Sequence, residues 1–191
     1  HFFEHLLFEG TKNIEGGQWF KIVEANGGSN NAYTSDDQTY YYEVFPSNKL
    51  ELSLWMESER MLHPIIRQED RITLQEGVVK EEKNFRLRNA PYGALLYAVR
   101  SNLYKKHPYG RLTIGLDKDL TAADINDFKK FNARYHKPNN ATLVVAGDID
   151  IDETKKMVEK YFADIPSSDD VVRNLPKEDP IEETIRSTWY D

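Results

Sequence analysis

Phe2, Phe3, Leu6 and Leu7 recur with the spacing of one helical face, and Gly10 follows as a left-handed cap, so residues 1–8 read as the end of a helix. Gly16-Gly17 interrupts the pattern. A second helix is expected over 18–26, where Trp19, Phe20, Ile22 and Val23 precede the stop at Gly27-Gly28. Residues 30–35 and 39–45 carry the composition of two strands, and 35–38 supply the turn of a hairpin. Pro46-Ser47 opens a helix to Leu62, and further helical patterns run over about 70–88, ending before Pro91, and over 92–105. A capping-box-like start at 121–124 predicts a helix to about Tyr135, and another is expected over 152–162. The compact β-branched run at 141–146 reads as a buried strand.

From 165 to 183 the composition shifts to Pro, Ser, Asp and Glu, with Pro166, Pro176 and Pro180, which predicts a loop or linker; residues 184–190 could form a last strand. Helices outnumber strands and do not alternate regularly with them. That order predicts an α+β fold, a largely antiparallel sheet with helices packed on one face. The boundary expected from composition puts one domain at 1–165 and a linker with a possible final strand at 166–191.

Length and charge narrow the function. A chain of 191 residues, 39% hydrophobic with 11 Tyr, 9 Phe and 3 Trp, suffices for one domain with a real core. No apolar run approaches the roughly 20 residues of a membrane span. The net charge of -7, with no basic stripe, argues against nucleic acid as a partner. With no Cys in the chain, any metal must be held by His and carboxylates. Because the sequence opens on His1 within a helical pattern, it reads as a fragment of a longer precursor.

His1 and His5 are four residues apart, so a helix stacks them on one face, with Glu4 beside them. Neutral imidazoles suit zinc, and a catalytic site needs three protein ligands, an open position for water and a base to take that water's proton. Glu4 is the natural base. Its neighbours Phe2, Phe3, Leu6 and Leu7 would make polar groups costly to bury without such a role. For the third ligand the best local source is the stretch 76–82, where Glu81 and Glu82 compete. On a wheel of about 100° per residue, the apolar set Ile72, Leu74, Val78, Val79 and Phe85 centres near Glu82 and leaves Glu81 roughly 80° aside. The alternative is a solvated helical face in which these glutamates pair with Lys80 and Lys83.

His1-Phe-Phe-Glu-His5 followed by Leu-Leu-Phe-Glu-Gly-Thr11 resembles the signature of the pitrilysin/insulinase family of zinc peptidases, the inverzincins. Further blocks follow in order: the stretch from Gly27 to Thr34, Glu76-Gly-Val-Val-Lys-Glu-Glu82, His107-Pro-Tyr-Gly-Arg111, and the run from Tyr135 to Gly147. The likeness spans most of the chain. It implies His1, His5 and Glu82 as ligands of one zinc ion, Glu4 as general base, and Asn31 and Ala32 on an edge strand where a peptide substrate pairs through its main chain.

The resemblance also implies a peptidase acting on peptides or unfolded segments, with a second homologous domain or subunit enclosing a chamber and contributing groups that grip the substrate carbonyl. Many members carry an acidic residue seven positions before the third ligand; here that position is Gln75, which can hydrogen-bond but supplies no charge. The rival from another class is a non-catalytic homologous subunit serving as scaffold or peptide-binding partner. A structural zinc site is disfavoured, since such sites are normally closed by four ligands and often use Cys. His63, His107 and His136 read as surface or structural residues.

Overall fold

The computed structural model describes residues 1–64 and 69–190. It opens on α1 (Phe2–Leu6), a helix of 5 residues that is too short to stand alone in water. Packing holds it. Phe2, Phe3, Leu6 and Leu7 are all buried, in one cluster with Ile72, Val79, Ile114, Leu120 and Phe128. At about 1.5–3 kcal/mol for each such side chain, this burial contributes on the order of 6–12 kcal/mol before chain entropy is counted. The chain leaves α1 through Gly10, whose φ of 119° suits glycine, and any Cβ there would lie 2.5 Å from the Ile14 carbonyl oxygen.

A second cluster joins Ile14 to α2 (Trp19–Ala25) and α3 (Leu50–Leu62) through Trp19, Val23 and Met56, with Phe8 and Phe45 against it. Arg60 of α3 lies inside this cluster. Its guanidinium sits 4.5 Å from the Phe8 ring centre, 4.0 Å from Trp19 and 4.5 Å from Tyr41, and its Nη2 pairs with Glu57 at 3.0 Å and Glu43 at 3.7 Å.

The sheet is an antiparallel pair, β1 (Ser29–Thr34) and β2 (Thr39–Val44), in register Ala32 to Tyr41 and Thr34 to Thr39. Period-two alternation turns Tyr41 inward against α1's cluster and leaves Tyr33, Tyr40 and Tyr42 exposed. The hairpin turn is clamped from outside. Arg100 of α5 (Leu95–Leu103) holds both Asp36 oxygens at 2.7 Å, and the Tyr109 hydroxyl donates to Asp37 at 2.6 Å.

Helix α4 (Glu69–Lys83) packs on α1 and runs into a π-helical turn at Asn84–Arg88. Its buried residues are Ile72 and Val79, whereas Leu74, Val78 and Phe85, expected to face inward with them, are exposed. Helix α6 (Asp117–Ala122) then crosses, tied to α4 by Lys83 to Asp117 at 2.8 Å and Lys80 to Thr121 at 2.7 Å. The helix expected from 121 begins later, as α7 (Ile125–Tyr135), because Asp124 and Asp127 form the capping box. The last helix is α8 (Ile151–Phe162), against α3.

The helix-rich architecture with its antiparallel sheet agrees with the α+β expectation. Two expected strands do not form. Residues 141–146 pair with no strand, with Val144 72% exposed, and residues 184–190 are likewise irregular. β-branched composition favours a pleated, half-buried surface, but without a partner ladder among the described residues it makes no sheet. No helix of the described residues is long and apolar enough to cross a membrane.

Candidate metal centre

Short as it is, α1 presents two faces. The apolar positions lock into the core, and His1 and His5 stack on the other side with ring centres 4.7 Å apart and edge-on. Glu82 comes from the last turn of α4. Its Oε2 stands 3.4 Å from Nε2 of His1 and 3.4 Å from Nε2 of His5, and the three donor atoms lie within 4.8 Å of one another. Two imidazole nitrogens and a carboxylate oxygen are a donor set that zinc takes. Around an ion with bonds of roughly 2.05 Å, a tetrahedron has an edge of about 3.4 Å. The two nitrogen-to-oxygen separations of 3.4 Å match that edge, and the donor set fits zinc.

Glu82 is held from behind: Arg86, four residues on and in the π-helical turn, pairs with its other oxygen at 2.6 Å. Glu81 is exposed and outside this donor cluster. His5 is oriented by Gln75, whose Oε1 lies 3.1 Å from His5 Nδ1. Gln75 in turn donates through Nε2 to Glu9 Oε1, and Arg71 Nη1 pairs with Glu9 Oε2 at 3.2 Å. His1 differs: its Nδ1 is buried with no hydrogen-bond partner among the described residues.

Glu4 is buried at 7% exposure. Thr34, the last residue of β1, donates its hydroxyl to Glu4 Oε2 at 2.5 Å, so one carboxylate oxygen is fixed. This contact also ties the strand to α1. Asn31 and Ala32 sit three and two residues earlier on that strand, outside the donor cluster, and the Ala32 N–H is met by the Asn31 side-chain oxygen at 2.9 Å.

Tyr41 and His136 face each other with ring centres 6.2 Å apart, and His136 also meets Phe3 edge-on at 5.8 Å. Burial, with Arg60 and Lys137 near, depresses the His136 imidazole to about 4, and burial raises the Tyr41 phenol well above its ordinary value. His136 is thereby kept neutral at pH 7.

Sequence reasoning named His1, Glu4, His5, Gln75 and Glu82, and the fold brings these side chains to one place. It missed Thr34, Glu9 and Arg86. Arg86 had a legible signal in its four-residue spacing from Glu82, and Thr34 lay inside the quoted strand motif; Glu9 had none, because only the fold carries it to Gln75.

Residues 1–116 match the family described as insulinase (peptidase family M16), and residues 122–188 match one described as peptidase M16 inactive domain. The zinc protease PqqE of Helicobacter pylori is 34% identical over 170 residues, covering 89% of this chain and 38% of that protein. An uncharacterized zinc protease of Mycobacterium leprae is 31% identical across 85% of this chain and 36% of its own. The crystal structure of a protease from Helicobacter pylori superposes with a TM-score of 0.82 at 32% identity, covering 93% of this chain and 42% of that one. The chain spans about two fifths of the length of the curated relatives it matches.

Proposed function

The chain belongs to the insulinase family of peptidases, family M16, and from that premise we propose that the full protein is a zinc endopeptidase acting on peptides or unfolded segments. In this reading His1, His5 and Glu82 hold one zinc ion, Glu4 is the general base, and residues 1–165 form the metal-bearing domain ahead of a linker. The observation that carries it is the 3.4 Å spacing of Glu82 Oε2 from both imidazoles, with Glu4 buried on the same short helix. When bound, zinc supplies Lewis-acid polarisation of the scissile carbonyl and of the attacking water.

The chain's own residues do the rest. His5 is steered by Gln75, and Arg86 turns Glu82 so that Oε2 faces the histidines. Glu4 takes the water's proton at Oε1, because Oε2 is engaged by Thr34, and later returns it to the leaving amine. An extended peptide adds along β1, where the Ala32 N–H exchanges the Asn31 side chain for a substrate carbonyl. A second homologous domain or subunit completes the chamber.

The test measures bound zinc and cleavage of a quenched peptide by the full-length protein. Glu4→Gln retains zinc and loses turnover by about 10²–10⁴-fold. Glu82→Gln loses zinc, and Glu81→Gln keeps both. Zinc retained in Glu82→Gln overturns the ligand assignment, and a wild type that binds no zinc favours the scaffold reading.

A further inference from the structure

We propose that Glu9 is a positioning residue which, acting through the Gln75 carboxamide, fixes the tautomer of His5 and so prepares its Nε2 for metal. The inference rests on the metal-site reading above and assigns a role to a residue outside the donor set.

One chain of hydrogen bonds runs from Glu9 through Gln75 to His5. Glu9 is nearly buried, with 11% of its side chain exposed, and its two oxygens face Gln75 Nε2 and Arg71 Nη1. A carboxylate only accepts. The Gln75 amide must therefore turn its NH2 end to Glu9, which leaves its carbonyl oxygen as the end that meets His5 Nδ1, 3.1 Å away. A carbonyl oxygen also only accepts, so Nδ1 must carry the hydrogen. With the ring's proton committed to Nδ1, the lone pair sits on Nε2, the nitrogen aimed at Glu82 Oε2. An amide alone could not do this. Flipped end for end, Gln75 would donate to Nδ1 and select the opposite tautomer, with the proton on Nε2 where the metal must bind. The orientation is set by the charge behind the amide, and Arg71 holds that charge in place.

His1 supplies the contrast within the same site, since its Nδ1 has no partner among the described residues. The preorganised half of the histidine pair is the half that Glu9 commands.

The test compares zinc affinity of the full-length protein, by competition with a chromogenic chelator, for wild type, Glu9→Gln, and Glu9→Gln combined with Gln75→Glu. Histidine-selective ¹⁵N NMR of the zinc-free forms reads the His5 tautomer directly. Glu9→Gln frees the Gln75 amide to flip, so zinc binds about ten- to a hundredfold more weakly and the Nδ1–H tautomer gives way to a mixture. The double variant puts a carboxylate directly on His5 Nδ1 and restores both readouts. A merely structural role for Glu9, through its Arg71 ion pair, predicts no such rescue. Wild-type affinity and tautomer in folded Glu9→Gln, or a double variant as weak as the single, overturns the proposal. His5→Gln serves as the reference: if it binds zinc like wild type, the metal-site reading itself has failed, whereas loss there with no effect of Glu9→Gln refutes the positioning role alone.

Discussion

Replacing Arg60 with Met should loosen the post on which the helix bearing His5 and the hairpin lean, and should do so more at high pH. Arg60 and Glu43 each keep only 2% of their side chains exposed, and Arg60 stacks on Phe8, Trp19 and Tyr41 at once. Methionine fills much of the volume, but it leaves the Glu43 carboxyl with only Trp19 Nε1 and Ser53 Oγ, each at 3.1 Å. Removing one partner of a buried pair costs about 3–5 kcal/mol.

The pH dependence follows from Glu43, whose carboxyl is raised to about 7 chiefly by burial and by the neighbouring Glu57. Between its ordinary value and about 7 the folded chain holds a proton that the unfolded chain has lost, so stability falls as pH rises through that window. Between pH 6 and pH 8 the wild type loses on the order of 1 kcal/mol in this way. Arg60 lowers the Glu43 carboxyl, so without it the carboxyl is raised further, the loss over that window grows, and the penalty of the substitution is larger at pH 8 than at pH 6. Because a longer protein need not unfold in one step, the suitable assay is hydrogen exchange of peptides from β2 and α3, corrected for intrinsic rates. Protection should drop by about 10²–10⁴-fold at pH 8, at roughly 1.4 kcal/mol per decade. A drop of less than tenfold at pH 8, or an equal drop at both pH values, refutes the account.

Two further outcomes follow from the neighbours of Glu4. Thr34→Val removes the hydroxyl that donates to Glu4 and should lower turnover about ten- to a hundredfold, a charged hydrogen bond contributing about 1.5–3 kcal/mol, with zinc content unchanged and Thr34→Ser close to wild type; turnover within twofold of wild type in Thr34→Val sinks it. His136→Phe addresses the buried imidazole depressed to about 4: from pH 6.5 down to 4 the unfolded chain takes up a proton that the folded chain refuses, so this residue withdraws about 3 kcal/mol as pH falls. The difference in exchange protection between wild type and His136→Phe should therefore shift steadily over that range. Glu43 contributes in the opposite direction there but equally in both proteins, and a pH-independent difference would show that His136 protonates freely.

The donor pair was legible because its spacing is local: four residues on a helix put His1 and His5 together whatever the rest of the chain does. The elements were legible where periodicity and punctuation agreed, as in the hairpin between Gly28 and Pro46. What composition could not supply was partnership. The run at 141–146 has the residues of a buried strand and still lies exposed, because a strand is defined by the neighbour that completes its ladder, and sequence pattern names no neighbour. The same gap hid α6, whose place depends on Lys83 reaching Asp117 across 34 positions.

On helix α4 the buried ridge is narrower than periodicity predicts. An average over five apolar residues pointed to Glu82, yet Leu74, Val78 and Phe85 face outward, and only Ile72 and Val79 define the buried ridge. Taken from Val79 at about 100° per residue, Glu82 lies roughly 60° from the ridge and Glu81 roughly 160° away, nearly opposite. The discrimination between the two glutamates is thus sharper than the five-residue average made it. The same ridge explains Gln75: seven residues before Glu82, it shares that flank, so one row of α4 delivers both a carboxylate to the metal position and the carboxamide that orients His5. A one-residue slip of α4 would put Leu74 or Glu76 at the position of Gln75 and Glu81 or Lys83 at that of Glu82, so no slip keeps both contacts, which is why the packing of Ile72 and Val79 against α1 is part of the site and not only of the core.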